Sequence, residues 1–388
     1  METRPTKIAK QKIEDMLETL TETPIINVQK YFDKAQGWEE ECTKVAASLH
    51  KFGILLVRDP RVKNEVNESY IDMVENYFED VGQRFYRGEV LKDCHPEISY
   101  QTGVTPESIE KARDHSLLVQ SIPDSEKPLS PFPPEFDAKW RFFWPLGERV
   151  KEIRDDFPKT IPEGIPEWEE KMDTWGNHMI DAAEIACEMC AIGLGLAKDT
   201  FTERMKLASH LLAPTASDLV KNDVGTAFAG FHYDLNFLTC HGKSRYPGLF
   251  IWLRNWKKMA CKIPEGCLLM QSGIMFESIT GGYILAGYHE VIYTQACKDK
   301  VEEVKREMEA TGKKRVLWRI SSTMFSHLRH NVNIAPLPEM LEYYNGDEAN
   351  AKYPAMTAHE KLFEELRAVN LCPKQSYTDL TVKGSKSH

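Results

Sequence analysis

The chain has 388 residues, 42% of them hydrophobic and 28% charged, the proportions of a soluble globular protein with room for a sizeable core. Its formal net charge of -10 speaks against a general binder of nucleic acid or of anionic membrane, because those surfaces are basic. Small molecules fit this balance better. Nine cysteines show no framework spacing, and the chain begins Met1-Glu2-Thr3-Arg4-Pro5 with no apolar leader, which predicts reduced thiols in a cytoplasmic protein. The C-terminal Ser387-His388 does not form a peroxisomal address.

Taken in order, Lys7 to Leu20 mixes charge with spaced Ile, Met and Leu and predicts a peripheral helix. Pro24 to Val28 is a short β-rich run, Trp38 to Phe52 has helical spacing before Gly53, and Ile54 to Val57 reads as a buried strand ended by Asp59-Pro60. Ser69 to Tyr86 repeats the helical pattern. From about Cys94 to Pro166, prolines including Pro128, Pro131, Pro133, Pro134, Pro145 and Pro158 break regular structure and predict an extended covering segment. Its Trp140, Phe142, Phe143 and Trp144 either pack or line a pocket. A long helix is expected over Glu167 to Leu194. Its Cys187 and Cys190 read as helix packing, because no second pair completes a zinc site. Its Asp181, Glu184 and Glu188 argue against a membrane span.

Beyond Ala208 the texture changes to short β-rich runs: Leu211-Leu212, Thr226 to Phe231, Phe237 to Thr239, Leu249 to Trp252, Cys267 to Met270 and Tyr283 to Tyr288. Many short strands predict a β-sandwich or jelly roll. A charged helical stretch, Ala296 to Lys314, interrupts them as a surface insertion before Val316 to Ser321 resumes the sheet. Helices are expected near Pro338 to Tyr343 and Thr357 to Val369, then a loose polar tail. The resulting division is an opening and covering segment over 1–166, a support helix and core over 167–335 with the insertion at 296–314, and C-terminal helices and tail over 336–388, all in one compact unit.

Chemistry gathers at His232-Tyr233-Asp234. On a strand, His232 and Asp234 share a face about 6–7 Å apart, and a third ligand, His289, would complete two imidazoles and one carboxylate on one side of a metal. That facial set leaves coordination positions open and is typical of non-haem Fe(II) oxygen chemistry. The triplet alone is a weak signal that also occurs by chance in structural roles. Arg319-Ile320-Ser321 follows downstream, with Arg319 and Ser321 on one strand face. A buried ion-pair arginine would look the same.

In this order, His-x-Asp, distal His and Arg-x-Ser, the chain resembles the isopenicillin N synthase-like branch of the Fe(II)/2-oxoglutarate-dependent oxygenases. The surrounding Leu235-Asn236-Phe237-Leu238-Thr239, Pro247-Gly248-Leu249 and Pro264-Glu265-Gly266 match as well, over roughly residues 24 to 335. The resemblance implies a mainly β fold with helices, a double-stranded β-helix (jelly roll) core with flanking helices. It also implies Fe(II) on His232, Asp234 and His289, with 2-oxoglutarate and O2 as co-substrates and ascorbate as a helpful additive in vitro. Arg319 and Ser321 would hold the distal carboxylate of 2-oxoglutarate.

Two departures stand out. The His289–Arg319 interval is longer than the family's, and the insertion is expected to loop out without moving either strand. Where relatives carry Asn-x-Tyr-Pro to touch the co-substrate, this chain has Leu211-Leu212-Ala213-Pro214; nearby His210 is a candidate substitute, or a structural histidine. For the substrate, Asn236 is a candidate pocket wall on the face of Asp234, while Lys243 and Arg245 in a basic loop are candidates for a carboxylate-bearing small molecule. Tyr233 is expected to pack on the other face, and His327, Arg329 and His330 to reach the rim or the surface. The implied reaction oxidises an unactivated C–H bond by hydroxylation, desaturation or ring closure, with cyclases of amino-acid-derived compounds such as kainoid synthases as the specific guess. Two alternatives stay open: a 2-oxoglutarate-independent iron oxidase of the isopenicillin N synthase type, and a non-catalytic barrel-fold binding protein.

Overall fold

The computed structural model describes residues 5–149, 159–369 and 371. Pro158 of the proline-rich stretch and nearly all of the C-terminal tail lie outside them. In chain order the strands are β1 (Ile25–Asn27), β2 (Ile54–Arg58), β3 (Gly103–Thr105), β4 (Trp140–Pro145), β5 (Leu211–Leu212), β6 (Thr215–Asp218) and β7 (Ala227–His232). They continue as β8 (Leu238–His241), β9 (Leu249–Trp252), β10 (Lys258–Ala260), β11 (Leu268–Ser272), β12 (Tyr288–Ile292), β13 (Trp318–Ser321) and β14 (Thr323–Ser326). A large sheet runs β1-β2-β11-β8-β14-β5-β4-β6-β13 with β3 beside β4, and a small one runs β10-β9-β12-β7. Neither closes into a barrel. Among the described strands only β1 and β2 pair in parallel, joined by the helix Trp38–Phe52 as a parallel crossover requires.

That helix shows why the sequence folds locally as it does. Glu39, Glu40 and Glu41 occupy its first turn and His50 and Lys51 its last, matching the helix dipole, and Gly53 at φ 70° ends it. Its buried Val45 and Leu49 contribute about 1.5–3 kcal/mol each. The long helix Trp168–Gly193 packs against it and supports the large sheet. Gly193 lets the two helices approach, since a β-carbon there would lie 2.2 Å from the Cys42 carbonyl oxygen. Helix Asn64–Tyr86 covers the β6/β13 edge. One hydrophobic cluster joins these helices to the sheet, from Ile13 through Trp168 and Met270 to Ala358. Cys187 and Cys190 are free thiols buried within it.

Four expectations need correction. The covering segment is not simply extended, because it supplies β3 and β4. Trp140, Phe142 and Trp144 are buried in the core, whereas Phe143 lines a cavity. The buried run Tyr283–Gly287 is no strand. It leaves the tight Gly281-Gly282 turn, and β12 starts only at Tyr288. Pro338–Met340 is a single 3-10 turn. Finally, the insertion does not loop away. Helix Gln295–Thr311, capped by the Thr294 hydroxyl and ended by Gly312, buries Cys297, Val301 and Val304 against Leu219, Phe228, Tyr246 and Tyr293.

Candidate metal centre

The small sheet sets the centre by register: His289 on β12 lies directly opposite His232 at the end of β7. Their rings are 4.2 Å apart between centroids. The β7–β12 register then shifts after His289, a bulge of the kind that re-aims side chains at functional sites. Asp234 lies two residues past His232, just beyond the strand end rather than on it. Its Oδ1 is 3.8 Å from His232 Nε2 and 3.9 Å from His289 Nε2. Among the described residues these three form the one group of at least three His, Cys, Asp or Glu able to share an ion, with all donor atoms within 4.8 Å.

Outer contacts aim the donors. His232 Nδ1 donates to the Gly230 carbonyl at 2.6 Å, and His289 Nδ1 to that of Gly287 at 3.4 Å. A carbonyl only accepts, so both Nε2 lone pairs are left for a metal. Thr239 donates to Asp234 Oδ2 at 2.6 Å, which leaves Oδ1 for the ion. The turn after Asp234 is clamped from behind by helix Ile274–Ile279: Ile274 N–H bonds the Asp234 carbonyl at 2.9 Å and Met275 N–H that of Asn236 at 3.2 Å. Gly273 permits this approach, because a β-carbon there would meet the Asn236 carbonyl oxygen at 2.2 Å. Burial holds His232 neutral, its pKa pushed well below the usual value with His289 adding to the effect. For Asp234 burial acts upward, but His289, His232, His241 and the Thr239 hydroxyl outweigh it and its carboxyl stays ionised. Neutral imidazoles and an ionised carboxylate are the protonation states that a metal needs.

A cavity of about 960 Å³ opens between the two sheets and is lined by all the elements of the centre: His232, Asp234, His289, Arg319 and Ser321. Arg319 on β13 is 5% exposed. Its Nε donates to the Pro247 carbonyl at 3.1 Å and its Nη1 to Ser321 Oγ at 2.6 Å, and no carboxylate faces it among the described residues. Burial without a counter-ion pushes this guanidinium down to about 10. An anion in the cavity would relieve that cost. Helix Gln295–Thr311 walls the same cavity through Ala296, Asp299, Lys300, Glu303 and Arg306.

A second cavity, of about 190 Å³, meets the first at His232 and Asp234 and is walled by the last helix, Ala358–Ala368. Tyr233 packs, as expected, against the rings of His115 and Tyr288, and it also lines this cavity, where its hydroxyl contacts Arg113 and Glu365, both lining residues. His327 and His330 also line it, and Arg329 does not.

The remaining candidates are placed differently from expectation. Asn236 is fully buried and lines neither cavity. It donates to the Ser326 carbonyl and lies 3.0 Å from the Thr239 hydroxyl, so it stands behind Asp234. Strand alternation misplaces it because the chain has already left the strand. Lys243 and Arg245 do line the larger cavity, as expected of them, but Arg245 is held by Glu68, Asp72 and Glu75, and Lys243 lies 3.7 Å from Glu265. His210 lines neither cavity, its Nδ1 accepting the His327 N–H at 3.1 Å.

No protein-family model and no curated protein matches the chain. Solved structures do. A full-length Neurospora crassa protein in complex with alpha-KG superposes with a TM-score of 0.66 at 15% identity, over 89% of this chain and 96% of that one. A Caulobacter crescentus protein assigned to the 2OG-Fe(II) oxygenase family gives 0.65 at 17%, over 89% and 98%. JOX2 in complex with 2OG, Fe and JA gives 0.58 at 14%, over 93% and 88%. The fold is that of the 2OG-Fe(II) oxygenases.

Proposed function

We propose that the protein is a non-haem Fe(II)/2-oxoglutarate-dependent oxygenase acting on a small molecule, with the two sheets as the halves of a jelly-roll core. One observation carries this reading: the His232–Asp234–His289 triad and the uncountered Arg319 line the same cavity. The donor set fits iron, and its facial arrangement leaves positions for a chelating 2-oxo acid and for O2. Held by His232, Asp234 and His289, iron would supply the chemistry that couples decarboxylation of 2-oxoglutarate to succinate with oxidation of a substrate C–H bond. The chain's own work is to hold and to exclude. Arg319 and Ser321 hold the distal carboxylate of the 2-oxo acid by charge-assisted hydrogen bonds. Gly230 and Gly287 keep the imidazole protons on Nδ1, and Thr239 keeps Asp234 turned toward the ion. The apolar wall of the second cavity, with Leu235, Met275 and Phe325 beside the triad, keeps water away from the substrate.

The absence of a tyrosine at Ala213 sustains one other reading, a 2-oxoglutarate-independent oxidase on the same iron. Oxygen uptake and succinate formation by Fe(II)-reconstituted protein, with and without 2-oxoglutarate, decide between them. The proposed function requires uptake that depends on 2-oxoglutarate and yields succinate in step. Uptake without succinate would establish the oxidase. Failure to bind Fe(II) would leave only a binding protein. Product mass separates the outcomes, a gain of about sixteen for hydroxylation and a loss of about two for desaturation or ring closure.

A further inference from the structure

The junction of the two cavities is not lined by the metal ligands alone. Lys139 and Arg141, both on or beside β4, line both cavities together with His232, Asp234 and Phe325. Lys139 is paired with two acids: its Nζ reaches Asp137 Oδ2 at 2.6 Å and Glu110 Oε2 at 3.3 Å. Asp137 in turn accepts the Gly230 N–H at 2.8 Å, which ties this pair to the strand that carries His232.

Arg141 is different. The only described acid within 4.0 Å of it is Glu110, already shared with Lys139, and its Nη2 touches Oε2 at 3.1 Å without hydrogen-bond alignment. No hydrogen bond to any described residue is made by any of its guanidinium nitrogens, and Nε is buried without a partner. The guanidinium is held instead between aromatic faces, 5.4 Å from the centre of Phe143 and 5.5 Å from that of Phe325. A largely buried arginine with its donors unspent requires an explanation, since buried polar groups are almost always bonded. A planar fork fixed by stacking and open toward a cavity is suited to a carboxylate, which it can bind bidentately. The co-substrate's distal carboxylate has its own site at Arg319, two strands away across β6, where Arg141 and Ser321 both pair with Thr215.

We propose that Arg141 is a specificity-determining residue that binds the carboxylate of the oxidised substrate, so that the substrate class is a small carboxylic acid with an apolar body. The body would lie along Leu235, Met275 and Phe325, next to the triad. This assignment rests on the oxygenase reading above and moves the anionic subsite from the basic loop, where Arg245 is consumed by three acids, to the cavity junction.

The test uses full-length protein loaded with Mn(II), as a redox-inactive stand-in for Fe(II), and with saturating 2-oxoglutarate. Benzoate, phenylacetate and hexanoate are titrated by calorimetry beside their primary amides. The proposal expects at least one carboxylate to bind beside 2-oxoglutarate while its amide does not, and Arg141→Met to weaken that binding about ten- to hundredfold, with Arg141→Lys intermediate. Should Arg141→Met fail to fold, Glu110→Gln carries the test and must tighten carboxylate binding by freeing Arg141. The proposal is overturned if no carboxylate binds, if amides bind as well, if carboxylates merely displace 2-oxoglutarate, or if the variants bind like the parent. Failure of 2-oxoglutarate itself to bind the Mn(II)-loaded parent would instead remove the oxygenase reading.

Discussion

The two sides of the metal centre each present an arginine, Arg319 buried and Arg141 partly so, and the two are built in opposite ways. Arg319 has neutral acceptors and, among the described residues, no acid: Pro247 and Ser321 orient it without discharging it. The Arg141 guanidinium has an acid, shared and poorly aligned, two aromatic faces and no hydrogen bond among the described residues. A third arginine, Arg245, shows the limiting case, with its guanidinium spent on Glu68, Asp72 and Glu75. The comparison teaches that charge alone does not make an anion site. What remains available after the protein's own partners are counted decides it, and by that measure Arg319 offers charge while Arg141 offers donors.

The contrast is broken most severely at the point both sides share. Asp234→Ala removes the one anionic ligand, and both cavities lose their common reacting centre. Fe(II) content after anaerobic reconstitution should fall to background, and oxygen uptake with it, beyond the roughly 10–100-fold that the loss of an outer-shell partner such as Thr239 brings. Stoichiometric Fe(II) in that variant would refute the site. Next in size is Arg319→Met, which leaves the Ser321 hydroxyl facing the cavity without its charged donor. The half-saturating 2-oxoglutarate concentration should rise about ten- to hundredfold, read from succinate formation, while Fe(II) content is retained. If Arg141→Met raises it as much, the two arginines are not separate subsites and the comparison collapses.

The first side is legible in the sequence and the second is not, for a physical reason. His232, Asp234, His289, Arg319 and Ser321 lie within two short segments and one distant histidine, and strand periodicity nearly predicts their faces. The helix Trp38–Phe52 and strand Leu249–Trp252 are likewise readable from local pattern. Periodicity fails where the backbone departs from a strand, which is why alternation puts Asn236 on a wall while the residue lies behind Asp234. The second side is assembled from Glu110, Arg141, Tyr233 and the helix Ala358–Ala368, whose proximity is set by β4 entering the large sheet beside β5 and β6. Nothing local marks β4 as central, since prolines surround it and it ends on Pro145. A residue signal does exist: a five-residue aromatic run, Trp140 to Trp144, interrupted by a single arginine. The insertion misleads in the same way, because a mean polarity typical of solvent-exposed helices conceals the buried stripe Cys297, Val301 and Val304.

The smallest expected effect concerns how the second side is held in place. His210, beside β5, accepts the backbone N–H of His327 on its Nδ1 at 3.1 Å, which joins β5 to the end of β14 behind the cavity. Burial pushes its pKa down to about 4, with Arg149 adding to the shift; the His327 ring, itself pushed down to about 3, is the other ionisable neighbour. Protonation would place a hydrogen on Nδ1 and set two donors against each other. Because the folded value lies below the unfolded one, the unfolded chain binds more protons between about pH 4 and 6.5. Stability is therefore present above about pH 6.5, falls as pH drops through that window and is flat with respect to this group below about pH 4, a loss of up to about 3 kcal/mol. His210→Gln keeps an acceptor and removes the titration, so denaturant unfolding across pH 4 to 7 should show a shallower decline for the variant than for the parent, and parallel curves would exclude His210 as the source. Arg319 and its acceptors carry no group that titrates in this window, so acid should loosen the Arg141 side of the centre before the Arg319 side.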